Sequence, residues 1–501
     1  MAIALSKVFD KANLSICLFL FILFAPYLIG AQSQTPSITD ISEAYWQFFN
    51  FQLDSTRIAL ASLPNLPETF HLDILLTSTQ AILRDDATAC TTCNDQENRL
   101  LEKLSKFENE FATSDFNYLK AEIRLQWALI KLKNNEELAA FWNLKQAYSI
   151  ATSNVSNYPE HLPTVRTLGL MHVLLGAFPE KYKWILPLFG MEANISQGLR
   201  QIDKAQNDRG FASVESSLIL ALIHTYWLSD PGRAVEILKP LRQKQQLLVC
   251  DYVLSLALMK DARSEEALSI INETATSHTQ PFAIPQFYYL LGEIYLQKGQ
   301  FEASIANYRL FIRQYEGNNL KKDSYYKMGV SQTLMNNVSA ARQNFEKSAS
   351  LAWAEIEADK NARYAVENEQ ITCAALYKMR YATDGGYYEK ALKARHSIDP
   401  TTLNAHDRCE YHYRTARLHH KMDRLEAAKA AYQKAIDTQL QNDWYFAPNA
   451  ALQLAGMFYD DNQLDNAKTF LKRINEYDGY PYQGSISQQA AALGKKLAIA
   501  D

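Results

Sequence analysis

The sequence predicts an all-α protein, an α-solenoid of stacked helical hairpins behind a less regular helical N-terminal region. Three observations carry that reading. Glycine is scarce, 17 in 501 residues, while Leu, Ala, Glu and Lys abound, so the turn punctuation that strands need is missing. A small residue, a second small residue twelve positions on and a bulky residue four further recur in several segments. A short polar turn separates the two small residues, as in Lys298-Gly299-Gln300, Asn336-Asn337 and Met422-Asp423-Arg424.

At the N-terminus, Lys7 and Lys11 precede an apolar run from Ile16 to Ile29, which gives way to Ala31-Gln32-Ser33. A basic start, a short apolar run and a small-residue site predict a secretory signal over residues 1–31. The run is shorter than the ~20 residues that span a bilayer, so no membrane span is expected once it is cleaved. Cleavage removes Lys7, Lys11 and Asp10 and moves the formal charge from −4 to −5. A mildly acidic chain without a Lys/Arg block offers no footprint for nucleic acid. The five cysteines that remain, Cys90, Cys93, Cys250, Cys373 and Cys409, are odd in number and irregular in spacing, which is no disulfide framework. The helical core must hold the fold.

The hairpin pattern is clearest in Tyr288–Phe311, Tyr325–Ser348, His412–Ala435 and Ala451–Ile474. Their first helices centre on Gly292, Gly329, Ala416 and Ala455; the second small residues are Ser304, Ala341, Ala428 and Ala467; the bulky ones are Tyr308, Phe345, Tyr432 and Leu471. Antiparallel helices approach closely only where a small side chain meets a ridge, and a bulky neighbour fills the remaining gap. This order and spacing resemble the tetratricopeptide repeat, with Tyr288, Leu291, Gly292, Tyr295, Ser304 and Tyr308 on six signature positions. Weaker marks at Ala234, Ala267 and Ala391 complete seven hairpins between about 210 and 476. The spacing is 33 to 39 residues except for 50 between Ala341 and Ala391, which predicts an insertion near Ala354–Glu369. The expected layout is a signal peptide (1–31), a helical region with degenerate hairpins (32–205), the repeat array (206–480) and a capping helix (481–501). Within the N-terminal region, Ala121–Leu132 and Leu138–Ser149 form one hairpin. The stretch 168–200, a glycine-bearing apolar helix, an aromatic segment ending Phe189-Gly190 and then Gly198-Leu199, resembles the tetratricopeptide family that includes eukaryotic inclusion-body clearance proteins. That resemblance implies an adaptor without catalytic residues.

Chemistry is sparse. Cys90-Thr-Thr-Cys93 falls in a polar stretch, Arg84–Glu97, expected to be a loop. No βαβ pattern surrounds it, as a redox dithiol would require, and no nearby Cys or His completes a zinc site; the pair is expected to close a local disulfide. Cys409, His412, His419 and His420 are spaced wrongly to gather one ion. No phosphate loop, nucleophile elbow or zinc-protease motif occurs, so neither catalysis, cofactor nor metal is expected. In the resembled repeat, the first-helix face lines the concave surface. Stepping from three before the central small residue places Tyr289, Glu293 and Leu296 there, then Tyr326, Tyr413, Arg417, His420 and Tyr459 in later units. Flat aromatic and polar side chains suit a peptide or helix. The favoured function is a non-catalytic binding scaffold exported to the cell envelope, periplasmic or extracellular, with another protein or peptide as partner. The alternative is a surface protein that captures a carbohydrate or small ligand for a transporter; Ala31 stands where such proteins carry a lipid-acceptor cysteine.

Overall fold

The computed structural model describes residues 40–83, 89–176, 183–277, 284–354, 356–368, 371–439 and 444–500, with Phe178 and Phe282, and gives backbone alone at 82–83, 89–94 and a few positions of the last helix. The expected signal segment lies outside the described residues. Those residues form 24 α-helices and no strand: α1 Ile41–Phe49, α2 Leu53–Ser62, α3 Pro67–Leu83, α4 Ala89–Ser105, α5 Thr113–Lys133, α6 Glu137–Asn157, α7 Leu162–Gly176, α8 Ile195–Ala205, α9 Ala212–Tyr226, α10 Pro231–Lys244, α11 Leu248–Lys260, α12 Ser264–Ser277, α13 Gln286–Lys298, α14 Phe301–Gln314, α15 Lys321–Leu334, α16 Val338–Ser350, α17 Glu357–Asn368, α18 Ala374–Asp384, α19 Tyr388–His396, α20 Ala405–Lys421, α21 Leu425–Thr438, α22 Phe446–Asp460, α23 Leu464–Ile474 and α24 Gln483–Ala500. A 3-10 turn, Leu186–Phe189, joins α7 to α8. No helix among them is long and apolar enough to cross a membrane.

The seven hairpins of the array are α9/α10, α11/α12, α13/α14, α15/α16, α18/α19, α20/α21 and α22/α23, and α24 packs across the end of the last. Each turn is made by one residue with left-handed backbone. Gly299 and Gly386 do this without steric penalty, Asn336, Asp423 and Asn462 at little cost, and Ser229 and Ala262 as the exceptions. Within a hairpin the small residue lies under the bulky one. A Cβ added to Gly292 would come within 2.7 Å of the Tyr308 ring, and one on Gly329 within 2.5 Å of Phe345. Ser304 adds a hydrogen bond from its hydroxyl to the Gly292 carbonyl at 2.8 Å.

The expected insertion is α17, a single helix packed on α15 and α16. Beyond it the chain turns back, and α18 packs against α13, two hairpins earlier. A clasp seals that contact. The Ser264 N–H donates to the Gly385 carbonyl (3.3 Å), Lys390 Nζ donates to the Lys298 carbonyl (2.6 Å), and Gly386 lies so close to the Ala262 carbonyl that a Cβ would sit 1.9 Å from its oxygen.

The N-terminal region does not stand apart from the array. Tyr45 stacks on Phe211 with ring centroids 3.6 Å apart, Asn50 Oδ1 accepts from the Leu248 N–H (3.0 Å), and one core runs from Ala44 through Leu76 into residues 214–328. The expected boundary at 205/206 is therefore not a packing boundary. A buried charge cluster ties α3, α5, α7 and α9 together: Arg166 pairs with Glu122 (3.1 Å) and with Glu215. His71 sits beside them with its pKa lowered to about 3 by burial and by Arg166. The glycines of the 168–200 stretch are there for steric reasons. Cβ atoms on Gly169 and Gly198 would each meet the other's carbonyl oxygen, at 2.8 and 2.5 Å, so α7 and α8 cross with their backbones in contact.

The stretch expected to loop through Cys90 and Cys93 is instead the start of α4. Buried Glu97 anchors this helix by accepting from Arg124 (2.6 Å), Lys131 (2.6 Å) and Asn143 (2.8 Å). The Cys90 and Cys93 side chains, and hence their expected disulfide, lie outside the described residues.

Candidate functional site

The inward sides of α11, α13, α15, α18 and α20, closed on one flank by α17, surround a cavity of about 1070 Å³. Counted from the small or compact residue at the centre of each first helix, the lining positions fall mainly at −6, −2, +1 and +5, one stripe of an α-helix. In α20 these are Glu410, Arg414, Arg417 and Lys421, counted from Ala416; in α18, counted from Met379, Cys373, Tyr377, Arg380 and Asp384. Position −3 adds Tyr289 and Tyr326 in the earlier units.

Of the residues expected in the groove, Tyr289, Glu293, Tyr326 and Arg417 line this cavity, whereas Tyr413, His420 and Tyr459 do not. Tyr413 is 2% exposed and packs among Tyr432, Tyr445 and Phe446. His420 turns to the Tyr432 hydroxyl (3.3 Å), and burial lowers its pKa. The expected stripe begins at −3 and ends at +4; the face toward the cavity is rotated about one residue, so α20 presents Arg414 and not Tyr413. Sequence reasoning therefore misses Asp323, Lys327, Arg380, Asp384, Glu410 and Arg414. Charged residues repeating at −6, −2 and +5 are the signal that could have found them.

At one end the charges close on themselves. Lys327 Nζ reaches Glu293 (2.7 Å), Asp323 (2.9 Å) and the Tyr289 hydroxyl (3.1 Å), using its three donors. Tyr289 donates to Asp323 (2.6 Å) and Tyr308 to Glu293. Burial disfavours charge on Lys327, yet Asp323 and Glu293 outweigh it and raise its pKa; burial raises that of Asp323 against the pull of Lys327. Behind Asp323, fully buried Asp359 of α17 accepts from the Leu320 and Asp323 N–H groups (2.8 and 2.9 Å) and caps α15. Burial pushes its pKa up to about 7.

The other end is cationic. Arg417 pairs with Asp384 (3.1 Å). Arg414 donates to Glu410 (3.0 Å) and to the Tyr445 hydroxyl (2.5 Å). Arg380 lies over the Tyr381 ring (5.6 Å). Burial alone would raise the pKa of Asp384, but Arg417, Arg380, Arg414 and Lys260 together hold it below the ordinary carboxylate value.

Among the described residues, His406, Asp407 and Glu410 bring ligand atoms within 4.8 Å of one another, the one grouping there that could hold a metal. Arg414 already occupies Glu410, and a cation would compete with it. The histidines and the cysteine singled out in the sequence do not join that group. Buried Cys409 donates to the Ala435 carbonyl (3.3 Å), and burial raises its pKa to about 12, which leaves an inert thiol.

Fold and cavity together define an α-solenoid binding protein. The family model of the tetratricopeptide repeat matches residues 285–317 and 410–442, which hold α13/α14 and α20/α21. Those two stretches are tetratricopeptide repeats. No curated protein matches the chain. Solved structures similar to it include the following two. The apo form of the quorum sensor NprR from B. thuringiensis is 14% identical, with 79% of this chain and 97% of that one covered and a TM-score of 0.30. The human IFIT1 dimer with m7Gppp-AAAA is 12% identical, with 97% and 95% covered and a TM-score of 0.25.

Proposed function

We propose that this protein is an exported, non-catalytic scaffold that holds a linear segment of another protein in its central cavity. One observation carries the reading: about 1070 Å³ of space bordered by five first helices and α17, walled by tyrosines and charged side chains. That volume stands at the upper end of the range for small-molecule pockets, roughly 1,000 Å³, and leaves room for a short peptide. Rigid aromatic walls with a few polar groups suit an extended peptide, since tyrosine gives contact area at little entropic cost. Export rests on the basic start and apolar run of residues 7–29.

A photo-crosslinking amino acid at Tyr326, on the cavity wall, tests the site in the native host; the control is the same group at Arg342, 81% exposed on a second helix. A covalent adduct to one protein from position 326 and none from 342 supports the reading. Adducts from 342 alone put the binding surface outside the cavity. N-terminal sequencing of the native protein tests export, with a start between Ala31 and Ser33 expected and a start at Met1 or Ala2 against it.

A further inference from the structure

We propose that the cationic end of the cavity selects peptides with acidic side chains, and that Arg380 is the residue which reads them. This deepens the preceding reading and rests on it. Five cations line that end: Lys260 from α11, Arg380 from α18, and Arg414, Arg417 and Lys421 from α20. At that end stand three carboxylates, Asp384, Asp407 and Glu410. Arg417 takes Asp384, Arg414 takes Glu410 and Asp407 bonds His406 and Thr372, so Lys260, Arg380 and Lys421 form no ion pair among the described residues and this end keeps a surplus of two positive charges.

Arg380 is the most informative of the three. It lies deep in the cavity, lower in exposure than Lys260 or Lys421, and forms no ion pair among the described residues. What its guanidinium rests on is the Tyr381 ring. Arg380 and Arg414 also repel each other. Asp384, bonded to Arg417, attracts Arg380 without pairing with it, and a guanidinium withdrawn from bulk water beside a second guanidinium is an arrangement that an incoming anion favours. The opposite end offers no comparable opening, because Lys327, Glu293 and Asp323 satisfy one another.

The surplus also discriminates between anions. A terminal carboxylate supplies one negative charge at one place, whereas the surplus cations are spread over α11, α18 and α20. Two or three acidic side chains along an extended segment match that spread, and a guanidinium binds a carboxylate in bidentate fashion beside the Tyr381, Tyr445 and Tyr482 rings.

The test is selection from a synthetic library of randomised octapeptides with amidated C-termini, passed over the immobilised full-length protein, with retained peptides read by mass spectrometry. Asp and Glu are expected to be enriched at least ~3-fold over the input. Arg380→Gln is expected to lower the retention of acidic peptides on the order of tenfold, while Arg380→Lys, which keeps the charge and loses the bidentate fork, falls between that variant and the wild type, and circular dichroism checks that both variants fold. Four results overturn the proposal. Retained peptides that are neutral or basic remove the acidic preference and leave peptide binding standing. Enrichment unchanged in Arg380→Gln takes the reading away from this arginine. Acidic enrichment seen only in a parallel library with free C-termini assigns the site to a terminal carboxylate. No retention from any library sinks the peptide-binding reading together with this one.

Discussion

At the scale of single residues, the decisive features are charges placed where water is scarce. Lys327 holds two carboxylates that are themselves little exposed, 17% for Glu293 and 6% for Asp323. Lys327→Met removes the cation those groups bond, and removing one partner of a buried ion pair costs about 3 kcal/mol or more. Urea unfolding should show that loss, and adding Glu293→Gln and Asp323→Asn should recover most of it. A loss under ~1 kcal/mol would place the network in effectively aqueous surroundings. Asp359 gives a test in pH. Its carboxyl titrates at 3.8 when free and near 7 in the fold, so between those values the folded chain holds the extra proton. Stability must then fall as pH rises through that window and level off above it. Asp323, raised in the same direction, adds to the trend. Asp359→Asn should flatten the decline between about pH 4 and pH 7, and an unaltered slope would mean that another group is titrating. Neither network was legible in the sequence, because Lys327 and Asp359 sit in ordinary helical contexts and acquire their meaning only when α15, α17 and α13 meet.

At the scale of the hairpin, the sequence was a good guide for a physical reason. The constraints that make the unit act within about forty residues: a small residue under a ring, and one left-handed residue at the turn. Gly292 under Tyr308 and Gly329 under Phe345 are such pairs, and all seven hairpins follow from their spacing. Ala428 occupies the corresponding second-helix position and is fully buried. Ala428→Trp overpacks that contact at a cost of ~1–3 kcal/mol or more. Its core joins residues 409–486 and is distinct from the one that binds the N-terminal helices to residues 214–328. Hydrogen exchange should therefore accelerate in α20–α23 while residues 40–200 keep their protection, and loss of protection throughout would mean that the array unfolds as one unit. Local reasoning failed where a distant partner decides. The helix that begins at Ala89 is anchored by Glu97 on Arg124, Lys131 and Asn143, none of them within its own segment. The groove face was misjudged by about a residue for the same reason, since α17 and the return of α18 to α13 set the direction in which α20 points. Tyr413 shows the consequence. At 2% exposure it belongs to the seam, and Tyr413→Ala should cost ~3 kcal/mol or more in stability, read from the urea midpoint, where a groove residue would cost little.

At the scale of the whole molecule, the return of α18 to α13 converts an open stack into an enclosure, and the clasp at Ala262, Ser264, Gly385 and Gly386 holds it shut. Binding should then depend on residues that touch no ligand. Gly386 is the sharpest probe: its backbone is left-handed at φ +83°, and an added Cβ would lie 1.9 Å from the Ala262 carbonyl oxygen. Backbone and carbonyl cannot both yield, so Gly386→Ala must push α18 off the α12 turn. Left-handed strain alone has to be subtracted, and Gly299→Ala does so, because Gly299 has φ +76° with nothing within 4 Å of an added Cβ. That control should lose about 1–2 kcal/mol and keep the enclosure. Both variants should retain helical circular dichroism, since the hairpins on either side of the clasp have their own cores. Only Gly386→Ala should enlarge the radius of gyration in small-angle scattering, and only it should reduce partner crosslinking from position 326. The cavity wall is shared between α13 and α18, and separating them removes one half of any contact made across it. Equal scattering profiles for the two variants would show that the clasp is incidental to the enclosure. Larger dimensions with undiminished crosslinking would show that the partner needs only the α13–α15 side, which would leave the charges of α18 and α20 without a part in binding.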